Sequence, residues 1–278
     1  MSPRVKMFGG RPTRATQKRR RAGQHPGLSR GEQMPHTCSA EAGVSDLRSS
    51  VRLPVHISLT TTSWRAGQIA PVIDSLLCQT FAANDVTLYV SSEAHMLDEG
   101  LKFSEDVALR RLLEAHALSQ TRLYIETTPN IGPHRKLLPA LHKYRNEDCL
   151  IVTIDDDRVV HPSWLERLMS EYLRSDGLSI IAGRAVQMRP SCQASKHGRP
   201  SSRSAMSLLA EYAAFPLVWG NRTGKLLMPI GAGGVVYRPR FLHPIVSDKN
   251  YRQAAAWNDD ISFRFASLLY NISVRTAR

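Results

Sequence analysis

From residue 53 onward, short apolar and β-branched runs alternate with longer segments that have a helical period. The runs at residues 54–59, 86–90, 122–126 and 149–154 are the predicted strands, and the segments that separate them carry apolar residues three or four positions apart. This order is typical of a parallel sheet with helical crossover connections. The sequence therefore predicts the α/β class, with a mostly parallel sheet flanked by helices.

The ends of several predicted helices carry recognisable signals. One helix is expected over residues 104–116, with Ser104 as its N-cap, and another over residues 134–144. A third is expected to begin at Pro162, because proline is well tolerated in the first turn of a helix. The run at residues 149–154 is apolar on both faces, which favours a strand at the centre of the sheet.

Polar residues follow each of the four predicted strands, at residues 60–63, 91–93, 127–130 and 155–157. In an α/β sheet, the carboxyl ends of parallel strands meet at one edge, and ligands bind outside that edge. We therefore expect these four clusters, which are distant in sequence, to form one polar rim that binds a ligand.

Three consecutive aspartates, Asp155, Asp156 and Asp157, directly follow the most apolar of these strands. Two carboxylates about 5 Å apart repel each other by about 3 kcal/mol at an effective dielectric constant of about 20, so a compensating partner is expected. Carboxylate oxygens on a loop are ligands that Mg²⁺ and Mn²⁺ prefer, together with water and substrate phosphates. The alternative is an ordinary hydrated acidic turn.

A second acidic pair, Asp259 and Asp260, stands at the start of another predicted helix. The pair has two interpretations. Carboxylates there favour the helix dipole, with Asn258 available as the N-cap. Alternatively, one carboxylate removes a proton from an attacking hydroxyl group.

A glycine-rich segment precedes the apolar residues Val235 and Val236. It contains Gly231, Gly233 and Gly234, but no Lys-Ser or Lys-Thr pair follows, so it is not a phosphate loop of the Walker type. These glycines are expected to form a bend, or to let the backbone approach a substrate closely.

The net charge of +13 is concentrated near the start of the chain of 278 residues. Residues 1–52 hold eleven Lys and Arg but only three acidic residues, and they lack a sustained apolar period, so we expect a disordered tail. The basic run at residues 18–21 is expected either to be a solvated run with no role or to contact an anionic surface, with peripheral membrane contact favoured over specific nucleic-acid binding. No apolar stretch approaches the roughly 20 residues needed to span a bilayer, and no signal-peptide core follows the basic N-terminus, which predicts a cytoplasmic protein.

Five segments occur in this order along the chain: TTTSW, NIGPHRKLLPAL, VTIDDDRVVHPSWLERL, PIGAGGVVYRP and WNDDISFRF. Together they resemble the GT-A-fold glycosyltransferases of the family 2 type, in a bacterial subgroup that carries a DDD motif. The resemblance covers residues 55–274, and the order and spacing of the motifs make it specific. It implies one GT-A-type, Rossmann-like catalytic domain over residues 53–278, with a nucleotide half at 53–183 and an acceptor half at 184–278.

The resemblance implies a metal-dependent transfer of a sugar, with inversion, from a nucleotide-diphosphate sugar such as a UDP-sugar to a hydroxyl group of a glycan, a lipid or another acceptor. Asp157 would bind Mn²⁺ or Mg²⁺, and Asp155 would contact the metal or the ribose. Asp260 would be the general base and Asp259 would orient the acceptor or the base. Because this pair is Asp-Asp where the family has Glu-Asp, the base assignment stays open between Asp259 and Asp260.

The resemblance also assigns a donor set and an acceptor set. The donor set is Thr60, Thr61, Thr62, Glu93, Asn130, Gly132, Lys136, Asp155 and Asp156. The acceptor set is Gly231, Gly233, Gly234 and Trp257.

Two other functions remain open from the sequence. One is a nucleotidyltransferase, although the stretch TTTSWRAG is a poor version of the Gly-rich basic loop expected after its first strand. The other is a non-catalytic module that binds nucleotide sugars and uses the basic tail to bind anions.

Overall fold

The computed structural model of the chain describes residues 42–188, 217, 218 and 220–277. The predicted tail at residues 1–41, with its basic run and its expected membrane contact, lies outside the described residues. Helix α1, Ala42–Ser50, falls within the segment that was predicted to be disordered. That part of the prediction is wrong because Leu47 and Val51, one helical turn apart, both pack against the hydrophobic core.

Eight of the described strands form one sheet, in the order β3-β2-β1-β4-β9-β5-β10-β7. A separate two-stranded antiparallel sheet contains β6 and β8. The ten strands are β1 Val55–Thr60, β2 Asp85–Val90, β3 Arg122–Thr127, β4 Leu150–Thr153, β5 Ser179–Ala182, β6 Ala185–Gln187, β7 Thr223–Gly224, β8 Leu227–Pro229, β9 Val235–Tyr237 and β10 Ser273–Thr276.

The predicted α/β class with a mostly parallel sheet is confirmed. Strands β3, β2, β1 and β4 are parallel neighbours, and so are β5 and β10. Strand β9 runs antiparallel between β4 and β5, with Val235 paired to Thr153. Because β9 runs in the opposite direction to β4, it starts at the edge of the sheet where β4 ends. The glycine-rich segment before β9 therefore lies beside the aspartates after β4.

Helices cover both faces of the sheet. Successive residues of β4 point to opposite faces, and Val152 belongs to one hydrophobic cluster while Ile151 belongs to the other. The first cluster includes residues of α2, α3 and α5, and the second includes residues of α4 and α7. The helices after α1 are α2 Ala70–Leu77, α3 Val107–Ala115, α4 Leu138–Lys143, α5 Trp164–Arg174, α6 Lys249–Ala254 and α7 Asp259–Leu269.

Helix α3 begins later than the sequence predicts. Ser104 is not its N-cap; the carboxylate of Asp106 accepts the N–H of Leu109 at 2.8 Å instead. Asp106 is the N-cap because it has the extended backbone conformation that this position needs. Helix α5 likewise begins at Trp164, two residues after the expected Pro162.

The helix predicted over residues 134–144 is broken in two. A 3₁₀ turn covers Gly132–Lys136, and α4 starts at Leu138. Pro139 has no N–H to donate to the carbonyl of Arg135, so one continuous α-helix would lack a bond at this point. The break matters for the site because it buries the side chains of Arg135 and Lys136 beneath the edge of the sheet.

In the described part of the chain, no helix combines the length and the apolar character that crossing a membrane requires.

Candidate active site

A cleft of about 480 Å³ opens at the carboxyl ends of β1 and β4, next to the start of α7. Twelve of the residues predicted for the site line it: Thr60, Thr61, Thr62, Asn130, Gly132, Lys136, Asp155, Asp156, Asp157, Trp257, Asp259 and Asp260. Residues from three of the four predicted polar clusters therefore line one cleft, whereas residues 91–93 do not. The lining does not include Glu93, Gly231, Gly233 or Gly234.

Lys136 joins the two acidic motifs. Its Nζ lies 2.9 Å from Oδ1 of Asp155, 2.9 Å from Oδ2 of Asp259 and 3.5 Å from Oδ1 of Asp260. The hydroxyl group of Ser58 in β1 donates to the carbonyl oxygen of Lys136 at 2.6 Å, which fixes the 3₁₀ turn against the sheet. Lys136 was predicted to face a nucleotide; the structure also makes it the shared counter-ion of three carboxylates.

The charges of this cluster change the pKa values of its members. Burial alone would lower the pKa of Lys136, but Asp259, Asp260 and Asp155 raise it well above its ordinary value. Lys136 therefore stays protonated. Burial raises the pKa of Asp260 to about 6, with Lys136 opposing the rise and Asp259 adding to it. Burial also raises the pKa of Asp259.

The two acids of the pair at the start of α7 are held differently. Oδ2 of Asp260 accepts the N–H of Gly231 at 3.0 Å. Asp259 forms its ion pair with Lys136, although its Oδ2 lacks hydrogen-bond geometry with any described residue. The N-cap of the helix is Asn258, whose Oδ1 accepts the N–H of Ile261 at 3.1 Å. Because the cap is already supplied, neither aspartate is needed for it.

The glycine-rich segment packs closely against the side chains of Lys136, Asp155 and Trp164. A Cβ atom on Gly231 would lie 2.4 Å from Nζ of Lys136 and 2.7 Å from Oδ1 of Asp155, so any other residue there would push the ammonium group or the carboxylate out of place. Gly234 has a φ of +82°, and a Cβ atom on it would lie 2.3 Å from the ring of Trp164. The indole N–H of Trp164 donates to the carbonyl oxygen of Gly233 at 2.9 Å. These glycines let the strand approach the aspartates closely.

The remaining two aspartates after β4 have their own cationic partner. Asp156 accepts the hydroxyl group of Thr61 at 2.7 Å, and its Oδ1 lies 2.9 Å from Nη1 of Arg65. Asp157 lies 2.9 Å from Nη2 of Arg65 and 3.2 Å from Nε of Arg158. Burial raises the pKa of Asp156, and the contacts with Thr61 and Arg65 oppose that rise. Side chains of the chain thus offset the repulsion within the motif.

Asp98 and Arg135 form a buried polar network beside the cleft. Nη2 of Arg135 donates to Oδ2 of Asp98 at 2.7 Å and to the carbonyl oxygen of Thr61 at 3.0 Å. Oδ1 of Asp98 also accepts the N–H of Ser63 at 2.9 Å. Burial alone would raise the pKa of Asp98, but the hydrogen bonds from Ser63 and Arg135 hold it below its ordinary value. Asp98 was missed from the sequence, which carries no local signal for its role.

Glu93 and Asn130 stabilise each other beside the cleft. Oε2 of Glu93 accepts the backbone N–H of Asn130 at 2.9 Å, and its carbonyl oxygen accepts Nδ2 at 2.7 Å. Oδ1 of Asn130 in turn accepts the N–H of Gly132, which has a φ of +64°. Glu93 therefore shapes the turn that carries Asn130, while Asn130 and Gly132 line the cleft.

Two tryptophans stand at the rim of the cleft. Trp257 was predicted for the acceptor side and is 65% exposed, and Trp64, which sequence reasoning missed, is 63% exposed. Both line the cleft together with the exposed Leu97. Exposed aromatic faces at a polar cleft offer a surface on which the apolar face of a substrate can rest.

The site suits a divalent cation that is shared with a substrate. Within the described ranges, no group of three or more His, Cys, Asp or Glu side chains is arranged to enclose a metal ion. Mg²⁺ characteristically uses only one or two carboxylates and takes its other ligands from water and substrate phosphates. Asp155 and Asp157 line the cleft and offer such oxygens, and Asp157 is 46% exposed at its side chain. These carboxylates fit an open metal site and not a closed cage.

No protein-family model matches the chain, and no curated protein matches it. Among solved structures, residues 1–349 of TarS from S. aureus are 14% identical, with a TM-score of 0.44 over 81% of this chain and 60% of that one. The 4-diphosphocytidyl-2C-methyl-D-erythritol synthase of Anaerococcus prevotii is 9% identical, with a TM-score of 0.45 over 81% of this chain and 88% of that one.

Glucosyl-3-phosphoglycerate synthase of M. tuberculosis is 13% identical, with a TM-score of 0.38 over 73% of this chain and 64% of that one. The chain thus spans less than two thirds of this enzyme and of the TarS fragment.

Proposed function

We propose that the chain is a metal-dependent glycosyltransferase that moves a sugar from a nucleotide-diphosphate sugar to an acceptor hydroxyl group with inversion. The observation that carries this proposal is that Lys136 joins Asp155 of the first acidic motif to Asp259 and Asp260 of the second. One cleft therefore presents carboxylates suited to a metal-bound diphosphate beside a carboxylate suited to removing a proton.

Asp260 is the proposed general base. It lines the cleft, and a pKa of about 6 leaves its carboxylate ionised at neutral pH and still basic enough to accept a proton. The N–H of Gly231 and the ammonium group of Lys136 orient it. Asp259 is the proposed positioning residue, because its closer contact with Lys136 fixes the ammonium group beside the base.

In the proposed displacement, Asp260 takes the proton of the acceptor hydroxyl group as the acceptor oxygen bonds to the anomeric carbon. The bond from that carbon to the diphosphate oxygen breaks on the opposite face, which inverts the configuration. A cation held by Asp155 and Asp157 would neutralise the charge that develops on the departing diphosphate. Lys136 keeps Asp260 ionised between turnovers.

A nucleotidyltransferase is the second candidate, and one specific observation favours it. Arg65, in the loop after β1, lies beside the aspartates and lines the cleft, so the cation expected in such an enzyme's first loop is present. The two reactions release different products. A glycosyltransferase releases a nucleoside diphosphate from a nucleotide sugar, whereas a nucleotidyltransferase releases pyrophosphate from a nucleoside triphosphate.

The test is a screen of nucleotide sugars and nucleoside triphosphates with Mn²⁺, in which the released product is identified. We expect slow release of a nucleoside diphosphate from one nucleotide sugar. We expect Asp157→Ala to lower the rate of this release by about tenfold or more, because a contact with the metal is removed. Asp74→Asn is the matched control, since Asp74 pairs with His116 outside the cleft. Release of pyrophosphate alone would favour the second candidate, and absence of any turnover would favour a binding module.

A further inference from the structure

The guanidinium group of Arg65 spans two of the three aspartates. Its Nη1 lies 2.9 Å from Oδ1 of Asp156, and its Nη2 lies 2.9 Å from Oδ2 of Asp157. The planar fork of arginine is suited to holding two carboxylate oxygens at once. Arg65 is therefore the counter-ion of the carboxylates to which a metal ion would come.

The surroundings allow this guanidinium group to leave. The side chain of Arg65 is 29% exposed and that of Asp157 is 46% exposed, so neither becomes a buried unpaired charge when they separate. Asp156 is only 9% exposed at its side chain, but the hydroxyl group of Thr61 continues to donate to it at 2.7 Å. The guanidinium group also lies over the ring of the exposed Trp64, 5.3 Å from its centre, at the rim of the cleft.

We propose that Arg65 is a positioning residue that holds Asp157 until a divalent cation displaces it, and that the released guanidinium group then binds the diphosphate of the donor. A cation at Asp157 would repel a guanidinium group a few ångströms away. The fork that fits carboxylates fits phosphate oxygens equally well. This inference rests on the proposed function, because it takes the metal and the diphosphate from it.

The first measurement is the affinity for Mn²⁺ alone, by calorimetry, for the wild type, Arg65→Gln and Arg158→Gln. Arg158 is the matched control, because it also contacts Asp157, at 3.2 Å, but with a 47% exposed side chain. Arg158→Gln therefore shows how much the removal of any nearby positive charge changes the affinity for Mn²⁺. We expect Arg65→Gln to bind Mn²⁺ about tenfold more tightly and Arg158→Gln to change within about threefold, since exposed ion pairs are weak.

The second measurement is the same titration with UDP present. In the wild type, UDP should raise the affinity for Mn²⁺, and Mn²⁺ should raise the affinity for UDP by the same factor. We expect Arg65→Gln to reduce that factor severalfold, because the diphosphate loses a cationic contact. Arg65→Lys, which keeps the charge but loses the fork, should fall between the wild type and Arg65→Gln in both measurements.

Unchanged or weaker binding of Mn²⁺ by Arg65→Gln would overturn the inference, and so would an undiminished coupling with UDP. An Arg158→Gln effect as large as that of Arg65→Gln would also overturn it. Neither measurement involves turnover. The inference can therefore fail while nucleotide sugar is still consumed, whereas the proposed function fails by the absence of consumption.

Discussion

At the scale of single residues, Lys136 determines the charge state of the site. A buried ammonium group that contacts three carboxylates offsets their mutual repulsion and keeps Asp260 ionised. Removal of a buried cation leaves its carboxylates unpaired, which favours their protonated forms. The pH dependence of activity should therefore report the presence of Lys136.

We predict that activity of the wild type falls as the pH drops through about 6, because Asp260, the proposed base, becomes protonated. In Lys136→Met, the pKa of Asp260 rises further, so the loss of activity should begin at a higher pH. The measurement is the pH profile of donor hydrolysis. Lys143→Met, which removes a half-exposed ion pair with Glu126 away from the cleft, should leave the profile unchanged. A profile of Lys136→Met that is unshifted or shifted to lower pH would contradict this account.

At the scale of elements, the antiparallel strand β9 brings the glycine-rich segment to the aspartates after β4. The 3₁₀ turn before α4 is held against α7, since His134 in the turn is hydrogen-bonded to Ser262 in the helix at 3.0 Å. Burial lowers the pKa of His134 to about 4, so this link stays neutral at physiological pH. Close packing of these elements requires glycine at specific positions.

We predict that Gly234→Ala destabilises the fold by about 3 kcal/mol, from the strained φ together with overpacking against Trp164. The matched control is Gly220→Ala, because Gly220 also has a positive φ, of +77°, but no described residue lies within 4 Å of its added Cβ. Gly220→Ala should lower the free energy of unfolding by only about 1 kcal/mol, from backbone strain alone. Urea unfolding measures both. Equal losses in the two variants would show that Trp164 does not restrict this position.

At the scale of the whole molecule, the sequence predicts what depends on local pattern. The strands before the aspartates and the α/β class follow from apolar runs and helical spacing, and the convergence of polar clusters follows from parallel strands. The break before α4 was in principle readable from Pro139. Helix α1 was missed because its own composition is polar and its order depends on packing of Leu47 and Val51 on a distant core.

The convergence of the acidic residues on one cleft could be expected from the sequence, but their ion-pair partners could not. Asp155, Asp157 and Asp260 stand where strand ends and a helix start place them. Their cationic partners could not be predicted, because Arg65 and Lys136 come from elements that only the tertiary fold brings beside them. A contact between residues more than a hundred positions apart, such as Lys136 with Asp260, leaves no local pattern in a single sequence.

The most direct test of the central claim separates donor binding from transfer in Asp260→Asn. Once the screen has identified the donor, its affinity in the presence of Mn²⁺ and its turnover are measured for the wild type, Asp260→Asn and Asp74→Asn. Loss of a general base should reduce turnover by about 10² to 10⁴, while the donor affinity stays within about threefold of the wild type. Asp74→Asn should match the wild type in both. Near-normal turnover by Asp260→Asn would contradict the account.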